Sequence, residues 1–230
     1  MTVPNWLDWV RRLQALAQSG RYYAEQFNHP FDMERYQQIE RIAAEILAAT
    51  GSNAATESSA ANERGSVDML THIQDMFSAQ AGHATPKTDV RGVVFRDEKI
   101  LLVQEKLDGL RWTLPGGWAD VGDSASESTV REVWEETGYR VRAVKLLALY
   151  DRNRHGHPAF VFHAYKAFFL CELVSDERTI FEHNVESGDV GWFGADEIAG
   201  LDLSIGRVTA AQIARWFEHL HNPTLPTDFD

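Results

Sequence analysis

One cysteine, Cys171, stands among the 230 residues, so no disulfide can form within the chain and no thiolate cluster can hold a structural zinc. Such cysteine usage fits a reducing, cytoplasmic setting. Long apolar runs are missing too: a stretch such as Ala167–Cys171 falls far short of the roughly 20 residues that a membrane-spanning helix needs. At the start, MTVPNWLDWVRRL interrupts its apolar residues with Asp8, Arg11 and Arg12, unlike a secretory signal. Positive charge is the third shortage. The 22 Lys and Arg face 34 Asp and Glu, a formal charge of -12, which disfavours general attraction to nucleic acid or to an anionic membrane surface. An acidic excess of this kind is compatible with a bound metal cation. The 44% of hydrophobic residues suffices for a soluble globular protein of one or two domains.

The apolar residues Trp6, Val10, Leu13 and Ala17 recur at helical spacing, which predicts an amphipathic helix with Gly20 as its stop. A second helix is expected from an Asp32 cap, with Tyr36, Ile39, Ala43, Ile46 and Leu47 inward and Thr50 and Gly51 at its end. Gly51 to Gly65 is rich in small polar residues and reads as a linker, so the domains are drawn as 1–65 and 66–230. A third helix follows from Ser66. The period then changes: Val90 to Phe95 and Lys99 to Val103 read as two strands around a turn at Asp97 and Glu98. Val141–Tyr150, Ala159–Leu173 and Val190–Phe193 are further strand candidates, and Arg207–Leu220 a closing helix.

The chemistry lies in LPGGWADVGDSASESTVREVWEETGY, Leu114–Tyr139. Pro115, Gly116 and Gly117 interrupt a strand with a turn that leaves backbone groups uncovered. Ser124 with Glu127 three residues on is a capping-box pattern, and Gly138 is a natural stop, so a helix is predicted between them. On it Glu132, Glu135 and Glu136 share one face at spacings of three and four. Like charges so placed destabilise a helix by about 0.2–0.5 kcal/mol per pair unless something neutralises them. A hard divalent cation such as Mg²⁺, which favours carboxylate oxygens and shares its other positions with phosphates, would do so. Arg131 can pair with Asp123 or Glu127 and fix the start of the helix. From these residues alone, a solvated charged helix face remains the alternative.

The spacing from Gly117 to Tyr139 resembles the box of the Nudix hydrolases: Gly, five residues, Glu, seven residues, Arg-Glu-aliphatic, one residue, Glu-Glu, one residue, Gly-aliphatic. Gly117, Arg131, Glu132, Val133, Glu135, Glu136 and Gly138 fall in place. Asp123 stands where the family has its first Glu, and Tyr139 where it has an aliphatic residue. The resemblance implies an α/β/α sandwich with a mixed sheet, preceded here by a small helical domain. It implies cleavage of nucleoside diphosphates linked to another moiety. Glu132, Glu135 and Glu136, with the backbone of Gly116 and Gly117, would hold Mg²⁺ or Mn²⁺, and Arg131 would steady the site. For a general base, the family draws either on these glutamates or on a later loop. Among Glu182, Glu186 and Asp189, Glu186 is the choice for its place before the strand GDVGWF.

The N-terminal helices, with HATPKTDVRGVVF and LPGGWADVG, resemble the Nudix subgroup typified by bacterial CDP-choline pyrophosphatase. That resemblance implies a homodimer and hydrolysis of CDP-choline to CMP and phosphocholine, with ADP-ribose as runner-up. Arg91, Trp118, Asp120, Arg152 and Arg154 are the candidates for substrate contact; Arg152 and Arg154, with His155 and His157, form a local basic loop whose alternative is a solvated hairpin. Trp6 and Trp9 are expected in the core or a dimer interface, and Cys171 as a small buried apolar residue. Two other functions remain: hydrolysis at an RNA end, which needs only a small site, and a non-catalytic nucleotide sensor, which the intact glutamates oppose.

Overall fold

The computed structural model describes residues 4–50, 66–180 and 187–230. The expected linker and the candidates Glu182 and Glu186 lie outside the described residues. The chain forms two compact units, Met1–Pro86 with Pro158–His163, and Lys87–His157 with Ala164–Asp230. The division thus falls at Pro86, beyond the third helix, where the sequence suggested residue 65.

In the first unit, α1 (Asn5–Gln26) buries Leu7, Val10, Gln14 and Ala17, and α2 (Pro30–Ala49) buries Ala43, Ala44 and Leu47. Of these, Leu7, Val10, Ala43, Ala44 and Leu47 make one apolar core with Ile73 and Phe77 of α3 (Ser66–Ser78) and Val161. This shared core is why α3 belongs here. The Arg11 side chain donates to the carbonyls of Phe160 and Val161 at 2.9 and 3.2 Å, tying in the returning segment. Gly20 does not end α1. It lies mid-helix where a Cβ would sit 2.3 Å from the Tyr36 ring, so it serves close helix approach instead of termination. Likewise α2 begins at Pro30, where a proline's missing N–H is harmless, and Asp32 falls inside its first turn. Trp6 flanks the core, but Trp9, Leu16 and Tyr23, seven residues apart on α1, are exposed.

The second unit runs β1 (Lys87–Arg96), β2 (Lys99–Glu105), β3 (Arg111–Thr113), α4 (Ala125–Thr137), β4 (Tyr139–Asp151), β5 (Ala164–Arg178), β6 (Ser187–Phe193), α5 (Ala210–His221) and β7 (Asp228–Phe229). The sheet order is β3-β2-β1-β5-β4-β7, with β6 on β2. Strand pairs β1–β5 and β4–β7 are parallel and the others antiparallel, so the sheet is mixed. Alternation sorts side chains to its two faces. Val93, Ile100, Leu102 and Phe168 pack with Ile213, Trp216 and Phe217 of α5, whereas Val94, Leu101 and Cys171 pack with Val133 of α4. Helices therefore cover both faces, as the resemblance implied. Two boundaries move: β5 starts at Ala164, since Ala159 to His163 belong to the first unit, and α5 starts behind a Thr209 capping box, leaving Arg207 outside the helix.

Candidate active site

The glycine turn is held as an extra strand along β1. Val90 and Gly92 N–H donate to the Gly117 and Pro115 carbonyls at 2.8 and 2.9 Å, and Ala119 N–H donates to Thr88. Gly116, at φ 138°, has Val90 O 2.0 Å from where its Cβ would be, so only glycine fits this approach. Its N–H points away from β1 and donates to Glu136 Oε2 at 2.8 Å. Helix α4 brings Glu136 there: the Ser124–Glu127 capping box fixes its start and Gly138, at φ 75°, its end. Glu132 lies one turn earlier, with a carboxylate oxygen 3.1 Å from where a Gly117 Cβ would sit. Glu132 and Glu136 thus both face the turn.

Their environment is dry. Burial pushes Glu136 up to about 8, against the pull of the Arg91 charge and the Gly116 N–H, while Glu132 and Glu105 push it further up. Burial also raises Glu132, with Arg131 opposing. Glu135 is bridged to Glu132 by Arg131. It is half-exposed and accepts from Arg131 at 2.8 Å. Arg131 also reaches Asp120 at 2.8 Å, Glu132 at 3.0 Å and Asp123 at 3.5 Å, whereas Glu127 is engaged by Ser124. Among the described residues, no three acidic or histidine side chains converge as a ready-made cage.

A second, fully buried cluster lies behind the turn. Arg91 donates to both oxygens of Asp89, at 2.9 and 2.7 Å, and to the Leu114 carbonyl at 3.2 Å. Lys166 on β5 donates to Asp89 at 2.7 Å. Burial opposes charge on Asp89, but Arg91 and Lys166 outweigh it and hold its carboxyl well below the usual range. Burial pushes Lys166 down to about 7 despite Asp89, helped by the charges of Arg91 and Arg152. Next to it His157, pushed down to about 3 by burial, is hydrogen-bonded through Nδ1 to the Ile205 carbonyl and through Nε2 to the Gln212 amide, so it is neutral.

The candidates for substrate contact therefore divide. Arg91 and Arg152 are buried, the latter donating to Gly206 O at 3.2 Å, so the alternative of a solvated hairpin does not hold at Arg152. Arg154 is exposed, 3.6 Å from Asp151, and is not brought together with Arg152. Trp118 is 38% exposed and pairs with Asp89 as a β-bridge, and Asp120 is held by Arg131. Asp89, Lys166 and Glu105 went unread in the sequence, and His157, read as part of a basic loop, is buried. Lys166, inside the apolar stretch AYKAFFL, offered a signal, because lysine is rarely buried unless paired.

Residues 86–217 match the NUDIX domain family, and residues 4–59 match the family described as a UDP-X-like, N-terminal oligomerisation domain. The chain belongs to the Nudix hydrolase family. It is 34% identical over 226 residues, 98% of this chain and 97% of the other, to a Bacillus subtilis (strain 168) protein provisionally named an ADP-ribose pyrophosphatase, YjhB. A solved ADP-ribose pyrophosphatase of Streptococcus suis 89-1591 is 37% identical at TM-score 0.56, covering 64% of this chain and 100% of that one. A solved UDP-X diphosphatase is 27% identical over 100% of both chains, also at TM-score 0.56. This Nudix protein is accordingly a pyrophosphohydrolase. No helix among the described residues is long and apolar enough to cross a membrane.

Proposed function

We propose that this Nudix hydrolase cleaves the pyrophosphate linkage of a small X-linked nucleoside diphosphate in a Mg²⁺- or Mn²⁺-dependent reaction. ADP-ribose is the first substrate to test and CDP-choline the second. The observation that carries this is the partly buried pair Glu132 and Glu136, turned onto a glycine strand that has no room for side chains. The donors fit such a cation, since Mg²⁺ is commonly held by one or two carboxylates and keeps water and phosphate in its other positions. When bound, it would neutralise phosphate oxygens and acidify water.

In this reading Glu132 and Glu136 are the ligands, with the Gly116 carbonyl in support. Gly117 is the weaker choice, because its carbonyl is directed at Val90 N–H. Glu135 serves as a further ligand, oriented by Arg131. Glu186 stays the proposed general base: it precedes Ser187, which pairs with Glu105 on β2, and the Glu105 charge is felt at Glu136. Trp118, beside the turn, offers a face for the nucleobase, while Arg91, buried and engaged by Asp89 and Leu114, acts on the glutamates through its charge.

The order of substrates follows the whole-length likeness to the protein provisionally named for ADP-ribose. CDP-choline was the first expectation from the N-terminal resemblance, and the UDP-X-like N-terminal family keeps nucleotides other than ADP-ribose in view. The same family supports a homodimer, for which the exposed α1 stripe Trp9, Leu16 and Tyr23 is the proposed contact. A protomer mass in sedimentation at micromolar concentration would refute that.

The test is a panel of ADP-ribose, CDP-choline, UDP-linked sugars and a 5′-triphosphorylated oligonucleotide, assayed with Mg²⁺ and with products identified by mass. Release of a nucleoside monophosphate is expected, and Glu136→Gln should lower kcat by about a hundredfold or more. Full activity in Glu136→Gln would sink the ligand assignment. Activity on the oligonucleotide alone would move the enzyme to RNA ends.

A further inference from the structure

Lysine carries a large desolvation cost in a protein interior, and an isolated ion pair there is often no more stable than an apolar substitute. Lys166 is 1% exposed, in the middle of the sheet, on a strand that is otherwise apolar around it. It donates to Asp89 Oδ1 at 2.7 Å, the same oxygen that receives Arg91 Nε at 2.9 Å. Asp89 Oδ2 receives Arg91 Nη2 at 2.7 Å. The carboxylate is thereby clamped from two strands, since Lys166 and Asp89 are register partners in the parallel β1–β5 pair. Arg91 then has its plane fixed by the bidentate bond, and its remaining arm, Nη1, lies 3.2 Å from the carbonyl of Leu114. Leu114 is the last residue before Pro115-Gly116-Gly117, and the two β1 amides that hold this turn, Val90 and Gly92, are the chain neighbours of Arg91. One continuous chain of contacts therefore runs from Lys166 through Asp89 and Arg91 to the turn that meets Glu136.

We propose that Lys166 is a positioning residue for the active site: through Asp89 it fixes Arg91, and Arg91 seats the glycine turn against Glu132 and Glu136. The inference rests on the reading of those two glutamates as metal ligands. Lys166 itself touches neither glutamate nor turn, and its effect passes through two other side chains. Groups that order the partners of metal ligands commonly shift metal affinity or activity by about 10- to 100-fold.

The experiment uses the full-length protein and Mn²⁺ alone, with binding read by electron paramagnetic resonance and the Gly116 amide by hydrogen exchange. Lys166→Met is expected to weaken Mn²⁺ binding about tenfold and to speed Gly116 exchange by a similar factor, while amides in the middle of α4 keep their protection. Lys166→Arg, which can still reach Asp89, should recover most of both. Asp89→Asn should reproduce the loss, and combining it with Lys166→Met should add little, because both act along one chain. If Lys166→Met does not fold, Lys166→Arg and Asp89→Asn carry the comparison. Unchanged Mn²⁺ affinity and Gly116 exchange in these variants, with only a lower melting temperature, would overturn the proposal and leave Lys166 a structural pair. Glu136→Gln is the control: if it binds Mn²⁺ as tightly as the parent, the ligand reading itself has failed, whatever Lys166 does.

Discussion

Two arginines flank the glutamates of the box, and their settings are opposite. Arg131 stands on α4 with its side chain 30% exposed, among Asp120, Asp123, Glu132 and Glu135. Arg91 stands on β1, 4% exposed at the side chain, gripping Asp89 with two bonds and a backbone carbonyl with a third. Arg131 has more partners, yet water and salt weaken each of its contacts. Arg91 has fewer, but each lies in a dry interior where losing a partner leaves a bare charge. Counting ion pairs would rank them the wrong way round. Arg131 neutralises a crowded surface, and Arg91 sets geometry.

The largest effect expected from breaking this contrast is at Arg91. Arg91→Met leaves Asp89 with Lys166 alone and the Leu114 carbonyl without that donor, a loss of about 3 kcal/mol or more in folding stability. Denaturant unfolding would measure it, and activity should fall together with stability. A loss below about 1 kcal/mol would mean that the Asp89–Lys166 pair is sufficient without it.

At Arg131 the same test should separate stability from function. Arg131→Ala removes exposed contacts and should cost about 1 kcal/mol or less. It leaves four carboxylates facing one another, so kcat should fall by about tenfold and more Mg²⁺ should be needed for half-maximal rate. Its stability effect should fade in 1 M salt, of order 3 Å in screening length, whereas that of Arg91→Met should persist. Equal salt sensitivity of the two would refute the contrast.

The sequence made one of these arginines readable and hid the role of the other. Arg131, Glu132, Glu135 and Glu136 lie within a few residues on one helix, so helical period and a spaced pattern together pointed to them. The capping box and Gly138 set that helix within a residue of where it lies. Arg91 was named only as a substrate contact: Asp89 lies two positions away, but the Leu114 carbonyl is 23 positions from Arg91, and the Lys166 that shares Asp89 is 77 positions from that aspartate. Parallel strand register, which brings Asp89 beside Lys166, leaves no local trace. Period also failed where packing overrode it: Gly20 looked like a stop, but Tyr36 from another helix is what requires a glycine there. Glutamates at spacings of three and four looked like one ligand face, and Arg131 bridges Glu132 and Glu135 on it, whereas Glu136 is held by the Gly116 N–H.

A last expected effect, absent near neutral pH, lies at the far edge of the buried cluster and emerges only in acid. His157 is held neutral, its ordinary value of 6.5 lowered to about 3, chiefly by burial and then by the charges of Lys166 and Arg152. Asp89 and the hydrogen bond to Ile205 act the other way. Between those two values the unfolded chain binds a proton at this histidine and the folded protein does not. Stability from His157 is therefore complete above about 6.5 and is lost as pH falls toward about 3, with a slope of at most ~1.4 kcal/mol per pH unit. Protonation would also set a second N–H against the Gln212 amide, which already donates there if Nδ1 donates to Ile205. His157→Gln keeps some hydrogen-bonding capacity and removes the titration, so its unfolding free energy should be flatter than the parent's from pH 6.5 to 4. If His157→Gln keeps the parent's slope, the acid sensitivity belongs to other groups, and the buried cluster does not extend its influence as far as α5.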